Sequence, residues 1–335
     1  MFEVRGPRSG MSRRAMLRVG ALAPLGLALP QFLGASDRSS AGKGASFGKA
    51  KRCLMIFMWG GPSHIDLWDM KPDAPSEVRG EFSPMRTRVP GIQICEHLPH
   101  LAKHTDKLGF IRSVTHSDNN HSTSAHWMLT GHQHPLKREN FGARRTDYPQ
   151  IGSVLSKFAP NEGSIPTFVA LPELIGTTAG FITPGQNGGF LGLKHDPFRI
   201  DQHPDAQDFA VPNLRPVEGV TRGRMESRLK LLEQFDGFRG EWARGLEGVD
   251  LNSVQQKAVD MVSAPEVYKA FDLSAEGLAE RNRYGMQTFG QSVLLARRLL
   301  ESGVKLVTVY WHRDKPGVDT TWDTHKNNFG GLKDR

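Results

Sequence analysis

The chain has 335 residues, of which 38% are hydrophobic and 23% are charged, and its formal net charge is +8. This balance is typical of a folded, globular protein and excludes fibrous and intrinsically disordered classes. Part of the positive charge lies in residues 1–35, where five Arg stand against one Glu and leave +4 for the remainder. No nucleic-acid partner is therefore expected.

Residues 1–35 have the pattern of a twin-arginine signal peptide, because Arg13 and Arg14 precede an apolar run at residues 19–33. Glycines and prolines interrupt this run, so no stable membrane span is expected after cleavage. Signal peptidase favours a small residue three positions before the cleavage site, and Leu33 departs from this pattern. One alternative is therefore that the segment stays uncleaved as an anchor, and another is that the Arg pair occurs by chance. The pattern predicts recognition by the twin-arginine export machinery and a location in the periplasm or at the cell surface.

The folded domain is predicted at residues 52–335, after a flexible linker at residues 36–51 that is rich in Ser, Gly, Ala and Lys. Residues 53–59 form an unbroken apolar run of strand length, which favours a strand buried on both faces. Cys53 opens this run and is expected to be a small core residue, with a disulfide to Cys95 as the alternative.

Polar side chains follow this strand directly. The sequence Gly60-Gly61-Pro62 ends the strand, and His64 and Asp66 come next. Open α/β sheets bind ligands beyond the carboxyl ends of their strands, so these two residues are candidate ligands.

A histidine row, a second strand and a short helix are predicted next. His97, His100 and His104 share one helix face, and the preferred interpretation is a solvated surface. Residues 108–114 are predicted as a strand, and residues 124–129 as a helix with Ser122 or Thr123 as its N-cap. The start of that helix also suits an oxyanion such as phosphate or sulfate.

The remaining chain alternates between helices and strands. The predicted elements are a helix within residues 148–160, a strand at 166–171, an irregular stretch at 172–222, helices at 223–239, 252–263, 266–271 and 284–302, and a strand at 304–310. A polar loop at 311–325, containing Asp323 and His325, follows the last strand. The order predicts an α/β fold with a mostly parallel central sheet flanked by helices, in which this loop lies beside residues 63–69 and 116–124.

Three separated blocks carry a family resemblance: LMIFMWGGPSHIDLWDMKP, HSTSAHWMLTGHQHP, and RYGMQTFGQSVLLARRLLESGVKLVTVYW followed by WDTHKNNF. They resemble the DUF1501 family of exported bacterial proteins, abundant in planctomycetes and related to the alkaline phosphatase and sulfatase superfamily. The resemblance implies an alkaline phosphatase-like fold with a divalent-metal hydrolase site. Relatives continue beyond the last block, so the domain at 52–335 is expected to be incomplete at its C-terminus.

The resemblance also implies site residues. The nucleophile position falls on His121, with Ser122 and Thr123 beside it as the hydroxyl candidates. Asp323 and His325 look like the superfamily's later metal-ligand segment. His64 or Asp66 would replace the aspartate that the superfamily places at the end of the first strand.

The resulting hypothesis is an exported metal-dependent hydrolase acting on phosphate or sulfate esters of small molecules or polysaccharides. Its cofactors would be divalent ions, with Zn, Ca, Mg and Mn all open. The alternative is a non-catalytic exported binding or scaffold protein that retains the hydrolase fold. No Cys is available to become a formylglycine, and Thr123 and Ala125 replace the Pro and Arg of the sulfatase pattern, which favours the alternative.

Overall fold

The computed structural model divides the chain into two units, residues 1–51 and 52–335, and the second contains all the elements given below. The residues that the structure describes are 49–136, 138, 141–176, 180–212, 214, 223–224, 227–228, 230–231, 257–262, 264–311, 322–325 and 327–334. The predicted signal peptide and most of the predicted linker lie outside them. No helix among the described residues combines the length and apolar character needed to cross a membrane.

The strands among the described residues are β1 (Cys53–Met58), β2 (Pro84–Arg86), β3 (Gln93–Cys95), β4 (Phe168–Leu171), β5 (Phe198–Arg199) and β6 (Leu306–Trp311). Four of them form a parallel central sheet in the order β1-β6-β4-β5, and β2 and β3 form a separate antiparallel pair. Helices flank the main sheet, so the predicted α/β class with a mostly parallel sheet is confirmed.

The helices are α1 (His64–Leu67), α2 (Ser76–Arg79), α3 (Pro99–Ala102), α4 (His121–Thr130), α5 (Ile151–Phe158), α6 (Pro265–Phe271), α7 (Leu278–Tyr284), α8 (Thr288–Glu301) and α9 (Asn328–Lys333). Residues 257–262 are also helical. The predictions at 148–160, 266–271 and 284–302 are confirmed by α5, α6 and α8. Most of the predicted helices at 223–239 and 252–263 lie outside the described residues.

The core is built on β6 and α8. The first five residues of β6 are buried, and the inward face of α8 contributes Leu294, Leu295 and Leu299, each fully buried. Burying one such leucine stabilises the fold by roughly 1.5–3 kcal/mol, so this layer fixes β6 in the middle of the sheet. Gly303, at φ +118°, turns the chain from α8 into β6.

The prediction that the first strand is buried on both faces is wrong. Among the described strands β1 lies at one edge of the sheet, next to β6 alone, and Ile56 is 43% exposed. Cys53 is exposed rather than a core residue, whereas Cys95 is buried at the end of β3, and both thiols are free. A continuous apolar run predicts a strand but does not identify how many of its faces are covered.

The predicted strand at residues 108–114 is also wrong. This segment has no regular structure, and Ile111 is 78% exposed while Val114 is 61% exposed. A short apolar run becomes a strand only where a neighbouring strand pairs with it, and local sequence does not reveal that partner. The three histidines at 97, 100 and 104 are exposed, as the preferred interpretation predicted, although α3 covers only Pro99–Ala102.

Helix α5 packs unusually closely on the sheet. Its buried face consists of Gly152, Ser153 and Ser156, and a Cβ placed on Gly152 would lie 2.5 Å from the Phe168 ring of β4. Gln150 caps the helix by accepting from the Gly152 amide and donates to the Thr308 hydroxyl of β6 at 3.1 Å. The small residues therefore set the distance between helix and sheet.

We expect Gly152→Ala to destabilise the domain by about 1–3 kcal/mol, because the new methyl group must push α5 away from Phe168. The measurement is the urea midpoint of unfolding. Gly163→Ala is the control, since a Cβ at Gly163 meets no atom within 4 Å. Equal midpoints for the two variants would contradict this account of the helix–sheet contact.

Candidate metal centre

The site lies where β1 and β6 end side by side. The amide of Trp59 donates to the carbonyl of Trp311 at 3.0 Å, which continues the pairing of the two strands by one residue. When the chain is next described, at Trp322, its amide donates to the carbonyl of Trp59 at 2.9 Å. Trp322 therefore lies at the carboxyl end of β1.

A glycine makes the close approach of the following residue, Asp323, possible. Gly60 has φ +94°, and a Cβ on it would lie 2.2 Å from the amide nitrogen of Asp323 and 2.6 Å from its Cβ. No side chain fits in that space, and the positive φ is itself unfavourable for other residues. Gly60 therefore allows Asp323 to pack directly on the backbone at the end of β1.

Helix α4 supplies the second part of the site. Its N-cap is Asn120, whose side-chain oxygen accepts from the amides of Ser122 and Thr123 at 3.1 and 3.4 Å. Gly131, in the left-handed conformation, ends the helix. His121 is consequently the first residue of the helix, and its ring lies 5.5 Å from the ring of Trp59, measured between centroids.

Three potential ligands meet at this point. Oδ2 of Asp323 lies 2.9 Å from Nε2 of His121 and 2.7 Å from Nε2 of His325. One donor atom from each residue lies within 4.8 Å of the other two, and this is the one such group of three His, Cys, Asp or Glu residues in the described part of the chain. The segment Trp322–His325 is called the ligand loop below.

The donor set fits a transition-metal ion. Two imidazole nitrogens and one carboxylate oxygen are ligands that zinc prefers, and three protein ligands leave a further position open, as in catalytic sites. Tetrahedral ligands about 2 Å from zinc lie roughly 3.3 Å from one another, so the two hydrogen-bonded contacts need widen only slightly. The side chains of His121 and Asp323 are 38% and 27% exposed, and that of His325 is 75% exposed, so the centre opens to solvent.

The other two predicted ligands are not part of this cluster. His64 is exposed at the first position of α1, whereas Asp66 is 5% exposed and accepts hydrogen bonds from Ser63 and Asn328. Two helical residues separated by one position project about 200° apart, so both cannot face one site. The single turn of α1 was not anticipated from the sequence.

The candidate nucleophiles Ser122 and Thr123 are 3% and 0% exposed. The hydroxyl of Thr123 lies 3.5 Å from the carbonyl of Asn120, inside the first turn of α4. Asn120, rather than either of these residues, is the cap. The family resemblance implied that His121 stands at the nucleophile position, but its contact with Asp323 makes it a candidate ligand, a role that the resemblance did not suggest.

A second group of histidines is structural. His126, fully buried in α4, has its Nδ1 2.9 Å from the carbonyl of His132, and burial lowers its pKa to about 4. It is therefore neutral at physiological pH and donates that Nδ1 hydrogen. His134 pairs with the buried Asp147 at 3.2 Å, and the Arg144 amide holds the other carboxylate oxygen at 2.7 Å. These contacts fix the segment that follows α4.

An α/β domain with a His/Asp/His cluster beyond adjacent parallel strands defines a class of proteins with a candidate divalent-metal centre. The chain belongs to the DUF1501 family, whose model, described as a protein of unknown function, matches residues 50–335. No curated protein and no solved structure matches the chain. The predicted family membership is thereby confirmed.

Proposed function

We propose that this chain is an exported, metal-dependent hydrolase-like protein that acts on phosphate or sulfate esters through the His121/Asp323/His325 centre. The observation that carries the proposal is the convergence of three donor atoms from two distant segments at the edge where parallel α/β sheets bind ligands. The alkaline phosphatase-like fold and metal chemistry implied by the sequence resemblance agree with it.

Zinc is the cation this donor set suits best, because nitrogen ligands disfavour calcium and magnesium relative to oxygen-only sites. A bound divalent ion would supply Lewis-acid polarisation of a non-bridging ester oxygen. His121 and His325 would bind through Nε2 and Asp323 through Oδ2, the atoms already directed at one another. The positive dipole end of α4, where His121 lies, would favour the anionic group of a substrate bound at this centre.

Solvent water is the nucleophile that this geometry favours. The hydroxyls of Ser122 and Thr123 belong to buried residues, and a side-chain nucleophile must reach the substrate in line with the leaving group. His325, largely exposed at the rim, lies where it can contact a substrate entering from solvent.

The alternative is an exported binding or scaffold protein that keeps the metal centre without turnover. Two observations favour it. The candidate hydroxyls are buried, and the described residues bring together a single group of three potential ligands, whereas many ester hydrolases use two metal ions a few ångströms apart. In this case zinc would contribute stability or ligand binding.

Two measurements on the full 335-residue chain separate these functions. Calorimetric titration of the metal-free protein with Zn²⁺ is expected to give one site per chain. Turnover is then measured with an aryl phosphate, a bis-aryl phosphodiester and an aryl sulfate in the presence of zinc. Hydrolysis that stops with a chelator supports the enzyme, zinc binding without hydrolysis supports the scaffold, and a failure to bind zinc contradicts the metal centre.

We propose export because of the leader sequence alone. Replacing Arg13 and Arg14 by Lys is expected to block transport, since the twin-arginine pathway reads the Arg pair. Transport is followed by fractionating cells that express the wild type or the variant. Unchanged export of the variant would count against this route.

A further inference from the structure

Asp66 is buried on α1, outside the metal cluster, yet a chain of hydrogen bonds connects it to the ligand loop. We infer that Asp66 is a positioning residue that holds Asp323 and His325 in place for metal binding. The inference rests on the proposed metal centre and adds to it a residue that touches neither the metal nor the substrate.

The connection runs through two side chains. Oδ2 of Asp66 accepts from the Ser63 hydroxyl at 2.6 Å and from Nδ2 of Asn328 at 2.9 Å. Oδ1 of the same Asn328 accepts from the Thr324 hydroxyl at 2.5 Å. The hydrogen bonds from Asp66 through Asn328 to Thr324 are called the relay below. Thr324 is the residue between Asp323 and His325, so the relay ends at the centre of the ligand loop.

The carboxylate determines the direction of this relay. A carboxylate only accepts, so the Asn328 side chain must present its amino group to Asp66 and its oxygen to Thr324. Hydrogen bonds to a charged acceptor are stronger than those between neutral groups. Asp66 thereby fixes the orientation of Asn328, and Asn328 fixes the Thr324 side chain.

The surrounding packing leaves Asp66 little freedom. A Cβ on Gly80 would lie 2.6 Å from Oδ1 of Asp66 and 2.8 Å from the Phe329 ring. Phe329 in turn packs edge-to-face on the buried Phe82, with centroids 4.9 Å apart, in the apolar cluster that also contains Leu67 and Trp322. Helices α1 and α9 therefore pack against each other through this apolar cluster, and the hydrogen bond between Asp66 and Asn328 connects their polar sides.

Two hydrogen bonds hold the ligand loop on either side of Asp323. At its start the Trp322 amide binds the Trp59 carbonyl, and at its middle Thr324 binds Asn328. Removing the hydrogen bond of Thr324 loosens the loop between Asp323 and His325, so both ligands are held less firmly in position. Groups that orient metal ligands in this way affect metal affinity by about 10- to 100-fold.

The test is zinc affinity, by competition with a chromophoric chelator, in the full chain carrying Asp66→Ala or Thr324→Val. Thr324→Val keeps the side-chain shape and removes only the hydroxyl. Both variants are expected to bind zinc about 10- to 100-fold more weakly. Asp69→Ala is the matched control, because Asp69 follows the same helix but pairs with Lys71 and Arg112 instead of the relay.

The double variant shows whether the two residues act together. If Asp66 acts through Thr324, Asp66→Ala with Thr324→Val is expected to lose no more affinity than the weaker-binding single variant. Additive losses would overturn the relay. A merely structural Asp66 would lower the thermal midpoint of the zinc-free protein and leave the zinc affinity of the folded variant unchanged, which would also overturn it.

The outcomes remain distinct from failure of the metal centre. If the wild type binds no zinc, the proposed function fails and the positioning role fails with it. If the wild type binds zinc and Thr324→Val binds it equally well, the positioning role alone is wrong. Should Asp66→Ala not fold, Thr324→Val and its comparison with Asp69→Ala decide the question.

Discussion

Replacing Asp323 by Ala is expected to abolish stoichiometric zinc binding while the fold persists. Oδ2 of Asp323 is the atom that both histidines contact, so its removal separates the remaining two donors and deletes the negative charge of the site. Loss of a direct ligand should exceed the effect of an orienting residue, and we expect zinc affinity to fall by more than about 100-fold. Metal content after dialysis and calorimetric titration provide the measurement.

Asp334→Ala is the control for this experiment, because Asp334 is an exposed carboxylate beyond the end of α9. Far-ultraviolet circular dichroism of both variants should match the wild type, since Asp323 is 27% exposed and carries little of the core. Full zinc occupancy in Asp323→Ala would remove this residue from the ligand set.

Gly60→Ala is expected to disrupt the site from the backbone side. The new Cβ would lie 2.2 Å from the Asp323 amide nitrogen, a contact that no rotamer relieves, so the ligand loop must move away from β1. We expect zinc binding to be lost or weakened at least as much as by removing an orienting side chain, about 10- to 100-fold. The hydrogen bond from Trp322 to Trp59 should weaken at the same time.

Gly61→Ala separates this contact from backbone strain. Gly61 also has a positive φ, +72°, but a Cβ there meets no atom within 4 Å. Both variants therefore carry the conformational cost of a side chain in the left-handed region, and only Gly60→Ala displaces the ligand loop. If both lost the same zinc affinity, the close approach of Asp323 would not be the reason that position 60 is glycine.

Sequence periodicity was sufficient for elements whose pattern is long or strongly apolar. Helix α8 and strands β1, β4 and β6 were predicted close to their observed bounds, because an amphipathic helix of 14 residues and unbroken apolar runs leave few alternatives. The strand predicted at residues 108–114 does not form, because no neighbouring strand in the described part of the chain pairs with this segment. The edge position of β1 could not be predicted from the residues of β1 alone. Both depend on contacts with distant segments.

The candidate site was predictable only in part. Asp323 and His325 were identified from the family resemblance, and the structure brings them together with His121, which had been assigned another role. Asp66 was predicted as a ligand, but α1 turns it inward, where it meets Asn328 from a segment 262 positions away. A pairing over that distance leaves no local signal in the sequence, although Gly60 and Gly61 did indicate a tight turn.

The contact between His121 and Asp323 joins residues 202 positions apart. Closing such a loop costs chain entropy, so the unfolded chain does not hold these donor atoms together and the cluster belongs to the folded domain. A metal ion that binds only the folded domain stabilises it, and adds about 2.7 kcal/mol to the free energy of unfolding when its free concentration is 100 times its dissociation constant. Metal occupancy would then report whether the whole domain, and not merely the loop, has reached its native arrangement.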